Sequence, residues 1–284
     1  MIGKKKIAFI GAGSMAEAMI SGIVHSKKMS PKNIFVTNRS NSQRLKELQK
    51  KYGITGVSRD KLELTNVDIL VLAMKPKDAE TTLQSFSDFL KPNHLILSVL
   101  AGISTSFIEK NVPFGQQVIR VMPNTSSMIG ESATAISPGT HTSVQNISLA
   151  EELLQCIGEV YEIPEEQMDL FTGIAGSGPA YLYYLMEHME NEAQRGGLNS
   201  QIIRKIVAQT VVGAAKMIQE QGTSPEVLRE NVTSPNGTTA AGLEALKGHG
   251  GGIAITEAIK RAAKRSKEIS LQLEKTELGT GVIR

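Results

Sequence analysis

A short apolar run near the start of the chain passes directly into a glycine-rich turn and then into an amphipathic segment. The run Lys6–Ile10 is followed by GAGSMA at residues 11–16, and residues 14–25 have the apolar spacing of a helix. A strand that ends in such a turn and opens a helix is the context in which G-x-G-x-x-A binds a dinucleotide. Gly11 permits the tight turn, Gly13 lets the backbone approach a pyrophosphate, and Ala16 permits close packing of helix on strand. The sequence therefore predicts an N-terminal βα unit whose turn faces a dinucleotide.

Strand-like and helix-like patterns alternate through the first half of the chain. The run Val67–Ala73 is apolar throughout, as a strand buried on both faces of a parallel sheet requires. Beyond Pro164, only long helical patterns follow. This alternation indicates βαβ units in a doubly wound sheet. We predict an α/β fold, with a Rossmann-type NAD(P)-binding domain at residues 1–163 and an all-helical domain at residues 164–284.

The charge and composition of the chain argue against several classes of protein. A formal net charge of +3 with scattered lysines gives no basic surface for nucleic acid. No apolar stretch reaches the ~20 residues of a membrane-spanning helix. The single cysteine, Cys156, cannot form an internal disulfide and is expected in a buried helix position. The five histidines show no metal-ligand spacing. We expect a cytoplasmic, soluble protein without a metal, a membrane partner or a nucleic-acid partner.

Two segments of the helical half are rich in glycine, proline and small hydroxyl residues. They read TGIAGSGPAY at residues 172–181 and VTSPNGTTAAG at residues 232–242. Helix interiors disfavour glycine and proline, so both segments are predicted to be loops that lead into helix N-termini. Free N–H groups at such an end can hold an anion. The alternative is an ordinary capped helix start with no ligand.

The end of the second strand bears on the choice between NAD and NADP. An acidic residue at this point would bond the ribose 2′-hydroxyl of NAD, but Asn38 occupies the position. The next residues, Arg39 and Ser40, can bond a 2′-phosphate. This pattern favours NADPH, with NADH as an alternative. If no ligand binds here, Ser40 is simply a helix cap and Arg39 is solvated.

Further cofactor contacts are expected where other strands end, because the carboxyl ends of the strands line the ligand crevice of such a sheet. These ends are AMKP at residues 73–76 and SVLAG at residues 98–102, whose small residues would let a nicotinamide lie close to the backbone. Lys75 is either a phosphate contact or a solvated lysine. Arg120 is expected at a strand start as an ion-pair partner, and Asn124 at the crevice. The predicted cofactor contacts in this half are Ile10, Gly11, Ala12, Gly13, Ser14, Met15, Asn38, Arg39, Ser40, Ala73, Met74, Lys75, Pro76 and Ala101.

Taken in order, the motifs resemble those of the pyrroline-5-carboxylate reductases. The similar stretches extend from the first strand to the late helices and lie at residues 10–18, 72–76, 98–102, 120–125, 173–181 and 232–239. The resemblance implies NAD(P)H-dependent reduction of 1-pyrroline-5-carboxylate to L-proline, the last step of proline biosynthesis. It also implies that the helical domain binds substrate and interlocks with a second subunit, and that dimers assemble into a larger ring such as a decamer.

The resemblance also implies roles for residues of the helical half. Thr239 would hydrogen-bond the ring nitrogen of the substrate, orienting it or delivering a proton through water. Ser234 is a further catalytic candidate, and Glu165 a further residue of the substrate pocket. Backbone N–H groups of Gly237, Thr238 and Thr239 would hold the substrate carboxylate.

Two more positions in the helical half follow from the same resemblance. Asn231 would lie near the nicotinamide half of the cofactor. Asn236 departs from the family, where glycine is common, but asparagine tolerates positive φ better than most residues. The turn is therefore expected to persist in this chain.

Two other functions share features of this sequence. A β-hydroxyacid dehydrogenase has a related glycine segment that supplies a catalytic lysine, but Leu182 occupies that position here. Leucine cannot move a proton, so alcohol oxidation through that lysine is excluded. A nucleotide-sensing or scaffold protein that keeps the fold without turnover is disfavoured by the intact glycine motifs, but the sequence leaves it open.

Overall fold

A computed structural model describes the backbone of residues 2–280 and the side chains of residues 2–272. Within that range the chain forms one eight-stranded sheet and a series of helices. In chain order the strands are β1 (Ile7–Ile10), β2 (Ile34–Asn38), β3 (Thr55–Ser58), β4 (Ile69–Leu72), β5 (Leu95–Ser98), β6 (Gln117–Met122), β7 (Ser132–Pro138) and β8 (Gly158–Glu162).

The helices include five that begin at a side-chain cap. In chain order they are α1 (Ser14–Ser26), α2 (Ser42–Tyr52), α3 (Ala79–Ser87), α4 (Thr105–Lys110), α5 (Val144–Leu154), α6 (Met168–Phe171), α7 (Gly178–Arg195), α8 (Ser200–Gln221), α9 (Pro225–Asn231), α10 (Thr238–Gly248) and α11 (Gly251–Thr280). The caps accept a hydrogen bond from a first-turn N–H and are Asn41, Ser104, Ser143, Asn199 and Ser224.

The strand order across the sheet is β3-β2-β1-β4-β5-β6-β7-β8. The first six strands are parallel in the Rossmann order, β7 runs antiparallel to β6, and β8 is parallel to β7. Ile10, at the end of β1, pairs with Thr37 on one side and Leu72 on the other. The order reverses between β1 and β4, which is where such sheets bind ligands. The predicted doubly wound fold is confirmed.

The core lies on both faces of the sheet, as the alternation along β1 illustrates. Ile7 and Phe9 pack into one cluster, whereas Ala8 and Ile10 pack into the other. Successive side chains of a strand point to opposite faces, so a strand covered on both sides must be apolar throughout. All four residues of β1 are buried. The glycine turn therefore begins at the end of a strand that packing holds in place on both faces.

The chain divides into two compact units. The first contains residues 2–177 together with 261–280, so the C-terminal part of α11 belongs to it. In this unit Ser266 Oγ of α11 donates to Asp169 Oδ1 at 2.7 Å. The second unit contains residues 178–260. The boundary expected between residues 163 and 164 stays a prediction.

The second unit is helical and exposes much of its apolar surface. In its described side chains, only Ile203 and Val207 among the apolar residues are buried. Arg204 Nη2 lies 3.2 Å from Glu190 Oε2, joining α8 to α7. Large exposed apolar side chains on the same two helices include Leu182, Tyr183, Leu185, Met189, Ile202 and Ile206. Such a surface is typical of helices that pack against a partner.

Several local expectations were wrong. Residues 172–176 were predicted to be a loop but form a π-helical turn, which Ser177 N closes by donating to Thr172 O at 2.8 Å. The wider turn keeps the glycines helical. Arg120 lies within β6, not at its start. Cys156 is buried but follows α5.

The alternative in which Ser40 caps a helix was also wrong, and two elements were not predicted. Asn41, not Ser40, caps α2. The unpredicted elements are β3 and α4, which have four and six residues.

None of the helices within residues 2–280 has the length and apolar character needed to cross a lipid bilayer. Among the described side chains, no group of three His, Cys, Asp or Glu residues is arranged to hold a metal ion.

Candidate cofactor and substrate sites

The turn after β1 requires glycine at its first position. Gly11 has φ +124°, a conformation that side chains of L-residues rarely adopt. A Cβ there would lie 2.6 Å from the carbonyl carbon of Ala73, inside van der Waals contact. Gly11 N donates to Thr37 O at 3.1 Å, and Ala73 N donates to Ile10 O at 3.0 Å. The turn is therefore held between the ends of β2 and β4, at the point where strand order reverses.

The N-terminus of α1 is open to a ligand. Gly13 is its N-cap residue and offers no side-chain oxygen to the first-turn N–H groups. A Cβ on Gly13 would meet nothing within 4 Å, so space remains in front of the turn. Ser14, the first residue of the helix, is exposed, and Met15 is partly exposed. Uncapped N–H groups facing open space fit a pyrophosphate.

A partly buried ion-pair network supports this turn from the other side. Arg44 Nε donates to Ala12 O at 3.2 Å, and the Arg44 guanidinium also pairs with Glu17 of α1. Lys51 Nζ and Tyr52 OH donate to Glu17 Oε1 at 2.9 and 3.0 Å. The Lys51 hydrogen bond, together with those from Arg44 and Tyr52, outweighs burial and lowers the pKa of Glu17 to about 2. Sequence reasoning missed this network, because only the fold brings α2 against α1.

The turn after β2 uses Asn38 for its own shape. The Asn38 Oδ1 accepts hydrogen bonds from Ser40 N and Asn41 N, both at 3.2 Å. Arg39 is exposed, and its Nη1 lies 3.5 Å from Asp78 Oδ1. Ser40 is exposed as well. An amide at position 38 shapes the turn without adding a negative charge beside Arg39.

A cavity of about 410 Å³ joins this turn to the glycine turn. Its walls include Gly11 and Arg39 and also Met74, which follows β4. Arg59, which follows β3, lines the same cavity and was not predicted as a site residue. The location and the residue types fit the adenosine half of a dinucleotide.

The residues that follow β4 and β5 differ in whether they are exposed or packed against another helix. Lys75 is exposed, and Pro76 opens a 3₁₀ turn over Pro76–Asp78. Ala101 is exposed after β5. Gly102 has φ +75°, and a Cβ there would lie 2.9 Å from Ile269 Cγ2 of α11. The packing of α11 therefore requires the small size of Gly102, and the expectation that the small residues at 98–102 admit a nicotinamide stays a prediction.

Glu165 lies in the first unit, where hydrogen bonds hold both oxygens of its carboxylate. Its Oε1 accepts a hydrogen bond from Thr105 N at 2.8 Å and one from Arg120 Nη1 at 3.3 Å. Its Oε2 accepts a hydrogen bond from Thr105 Oγ1. Arg120 is 4% exposed, and its Nη2 lies 3.8 Å from Asp169 Oδ1. Both Glu165 oxygens are engaged, which ties the start of the helical half to β6 and α4.

Asn124 has a structural role beyond the end of β6. Its Oδ1 accepts from Ser126 N at 2.9 Å, and its Nδ2 donates to Ala175 O of the π-helical turn at 3.0 Å. Asn124 is buried. Both ends of the Asn124 amide bond to the protein, and the expectation that the loop at Asn124 faces the ligand crevice stays a prediction.

The substrate-loop residues predicted from the sequence lie together in the second unit. Asn236 has φ 59°, so this asparagine adopts the left-handed conformation that a family glycine would take. Gly237 N donates to Ser234 O at 3.1 Å, closing the turn. Gly237 is the N-cap residue of α10 and offers no side-chain cap. Thr239 is exposed in the first turn of that helix.

The helix before this loop completes the cluster. Asn231 is the last residue of α9, and Thr238 is the first of α10. Both side chains are exposed, as is that of Ser234. The loop therefore presents an uncapped helix N-terminus surrounded by hydroxyl and amide groups, an arrangement that suits a carboxylate. It differs from the glycine turn at α1, which lies in the first unit.

Two family models match the chain. The model of the pyrroline-5-carboxylate reductase dimerisation domain matches residues 165–269. The model of the coenzyme F420-dependent NADP oxidoreductases matches residues 6–102. The second match includes the glycine turn and the end of β2, and the first includes the loop that opens α10.

Curated and solved proteins match nearly the whole chain. Pyrroline-5-carboxylate reductase 1 of Bacillus spizizenii is 63% identical over 96% of this chain and 92% of its own length. The structure of a pyrroline-5-carboxylate reductase from Coxiella burnetii has a TM-score of 0.84 and 32% identity, over 94% of this chain and 98% of its own. The structure of Plasmodium falciparum pyrroline carboxylate reductase with NADP bound has a TM-score of 0.86 and 26% identity, over 94% and 99%. The chain belongs to the pyrroline-5-carboxylate reductase family.

Proposed function

We propose that this chain reduces 1-pyrroline-5-carboxylate to L-proline, the final step of proline biosynthesis, with NADPH as the preferred donor and NADH as the alternative. The observation that carries the proposal is a pair of uncapped helix N-termini, each opened by a glycine. One is at Gly13 of α1 and the other at Gly237 of α10. The first suits a pyrophosphate and the second a small carboxylate. Each unit thus supplies one of the two anion sites that the reaction needs.

The first turn of α10 holds the substrate carboxylate in this proposal. The N–H groups of Gly237, Thr238 and Thr239 are the donors, and the helix dipole favours the negative charge. The Thr239 hydroxyl then hydrogen-bonds the ring nitrogen. A threonine hydroxyl is a weak acid, so its role is to orient the imine and to pass a proton from water. Ser234 supports the same loop.

NADPH, when bound, supplies the hydride. The backbone from Ile10 to Met15 surrounds the pyrophosphate, and Arg39 and Ser40 face the 2′-phosphate. Asn38 shapes that turn. Contacts further along the cofactor are assigned to Ala73, Met74, Lys75, Pro76, Ala101 and Asn231. Both Glu165 oxygens are engaged within the first unit, so Glu165 contributes to the substrate pocket through the position of its backbone or after rearrangement of this network.

The assembly is a homo-oligomer. The match to a dimerisation domain over residues 165–269 and the exposed apolar surface of α7 and α8 support a dimer. We extend this to a ring of dimers such as a decamer, to a domain boundary between residues 163 and 164, and to a cytoplasmic location. The ring is supported by the family resemblance, the boundary by the change to helical patterns after Pro164, and the location by the composition.

The deciding experiment follows oxidation of NADPH and of NADH by the purified protein with DL-1-pyrroline-5-carboxylate. Rapid substrate-dependent oxidation, faster with NADPH at low cofactor concentration, supports the proposal. Binding of NADPH without any oxidation contradicts the reductase and favours a nucleotide-sensing protein.

Substitution of Thr239 tests the assigned hydroxyl. Thr239→Val keeps the shape and removes the hydroxyl, whereas Thr239→Ser keeps the hydroxyl and serves as the matched control. We expect Thr239→Val to lower kcat by about 10- to 100-fold, consistent with the loss of one hydrogen bond to a reacting group. The Kd for NADPH should stay at the wild-type value. Equal kcat for Thr239→Val and wild type would remove Thr239 from the mechanism.

A further inference from the structure

A second arginine, Arg59, directly follows the end of a strand that pairs with the strand before Arg39. Arg59 directly follows Ser58, the last residue of β3, and Arg39 directly follows Asn38, the last residue of β2. Asn38 and Ser58 are register partners in the parallel pairing of these two strands. The two arginines therefore emerge side by side from the carboxyl edge of the sheet, where ligands bind in this fold.

The side chain of Arg59 is held in place by α3. Its Nη2 donates to Ser85 Oγ at 3.0 Å, and its Cζ lies 5.0 Å from the centroid of the Phe86 ring. The residue is partly buried. Packing of a guanidinium on an aromatic face fixes its plane and reduces the entropy lost when it binds a ligand. Arg59 is thus preorganised, in contrast to the exposed Arg39.

The charge balance at this point favours an anion. Arg39 and Arg59 line the same cavity of about 410 Å³ as Gly11, and the acidic residue lining it is Asp78. Burial, followed by the charge of Arg39, lowers the pKa of Arg59, while Asp78 opposes the shift. The adjacent acid, Asp60, hydrogen-bonds with Ser58 and lines a neighbouring cavity of about 660 Å³, which Arg39 and Arg59 also reach. Two guanidinium groups and one carboxylate give the lining of this cavity of about 410 Å³ a net positive charge, which favours binding of an anion.

We propose that Arg59 is a specificity-determining residue, which binds the 2′-phosphate of NADP(H) together with Arg39 and so sets the preference over NAD(H). A planar guanidinium donates two parallel hydrogen bonds to a phosphate, and a 2′-hydroxyl offers no charge for it to bind. This inference rests on the proposed NADPH-linked function and deepens it. It gives the 2′-phosphate a second ligand from β3, a strand that does not carry the glycine turn or the Asn38 turn.

The test measures binding of adenosine 2′,5′-bisphosphate and of adenosine 5′-monophosphate by isothermal titration calorimetry. These probes differ only in the 2′-phosphate and need no turnover. Arg59→Gln should weaken the bisphosphate by about 10- to 100-fold, the usual range for a hydrogen bond to a charged group, and leave the monophosphate within about twofold. Lys61→Gln is the matched control, since it removes an exposed positive charge two residues away. Both probes should bind that variant as they bind wild type.

A second variant guards against a folding defect. Arg59→Lys keeps the charge but loses the planar fork, so the bisphosphate should bind more weakly than to wild type and more tightly than to Arg59→Gln. Equal loss for both probes in Arg59→Gln, or an unchanged ratio of their affinities in both variants, overturns the assignment. If wild type prefers the bisphosphate and loses this preference in Arg59→Gln, but does not reduce 1-pyrroline-5-carboxylate, the assignment stands and the proposed function fails.

Discussion

Replacing Glu17 by glutamine should change how the stability of the protein depends on pH. The fall of the Glu17 pKa from 4.5 to about 2 corresponds to about 3 kcal/mol of stabilisation when the carboxylate is ionised. The Glu17 side chain is 14% exposed, but its partner Lys51 is 60% exposed. Solvent screening therefore reduces the measurable value to about 2 kcal/mol. The network joins α1 to α2 behind the glycine turn, so the loss should affect unfolding of the first unit.

The direction of the pH effect follows from the lowered pKa. Because the folded protein holds the Glu17 proton less tightly than the unfolded chain, the stabilisation is full above pH 4.5 and is lost as the pH falls towards 2. By pH 3.5, linkage predicts that about 1 kcal/mol of it has disappeared. Glu17→Gln lacks a titrating group at this position. The difference in unfolding free energy between wild type and Glu17→Gln should therefore be about 2 kcal/mol at pH 7 and about 1 kcal/mol at pH 3.5.

Urea unfolding at a fixed protomer concentration, followed by circular dichroism at both pH values, measures this difference. The concentration is fixed because subunit association adds to apparent stability. Glu47→Gln is a matched control on α2, since Glu47 lies 3.6 Å from the same Arg44 but is 52% exposed. It should show only a small change at either pH. Parallel curves for wild type and Glu17→Gln would refute the reasoning, because they would show that Glu17 ionisation does not stabilise the fold.

Three further substitutions test other parts of the structure. Gly11→Ala places a Cβ against Ala73 at φ +124°, so it should weaken NADPH binding by at least about tenfold, measured by fluorescence titration; wild-type affinity would contradict the required close approach. Gly102→Ala should lower the free energy of unfolding by about 1–3 kcal/mol, because the added Cβ would contact Ile269. An unchanged urea midpoint would show that α11 moves to admit the Cβ without loss of stability. Burial, followed by the Lys91 charge, lowers the pKa of His94 from 6.5, so the folded state keeps it neutral and stability should decrease as the pH falls through 6.5. His94→Asn should lack this decrease, and an identical pH profile would disprove it.

The fold was predictable where the pattern is strong and local. The apolar run of β1, the glycine turn and the amphipathic spacing of α1 each depend on neighbouring residues, so the Rossmann half could be inferred before any contact was known. The strand β3 has the sequence TGVS, too short and too weakly apolar to give a period. It became a strand because its backbone pairs with β2 at the sheet edge. Because the sequence did not predict β3, it did not indicate Arg59 as a site residue either, since the position of Arg59 depends on that pairing.

Side-chain roles were harder to predict than the elements that carry them. Asn124 and Gly102 stand where ligand contacts are usual, but the structure uses one to hold Ala175 and the other to admit Ile269. In both cases the partner is far away in the sequence. The grouping of Thr239 with Gly237 in one loop was visible from the sequence because these residues are neighbours. Long-range partners cannot be read from a local pattern.

Because α11 returns to the first unit, that unit is built from two segments that lie far apart in the sequence. The ribosome releases residues 2–177 before Ser266 and Ile269 are synthesised, so this segment emerges without the part of α11 that packs against it. Until α11 is made, Asp169 lacks its hydrogen bond from the Ser266 hydroxyl, and Ile269 does not yet pack against Gly102. Insertion of residues 178–260 between the two parts costs little additional loop entropy, since that cost grows only with the logarithm of length. A chain that stops within the helical unit therefore lacks both of these contacts between α11 and the N-terminal segment of the first unit.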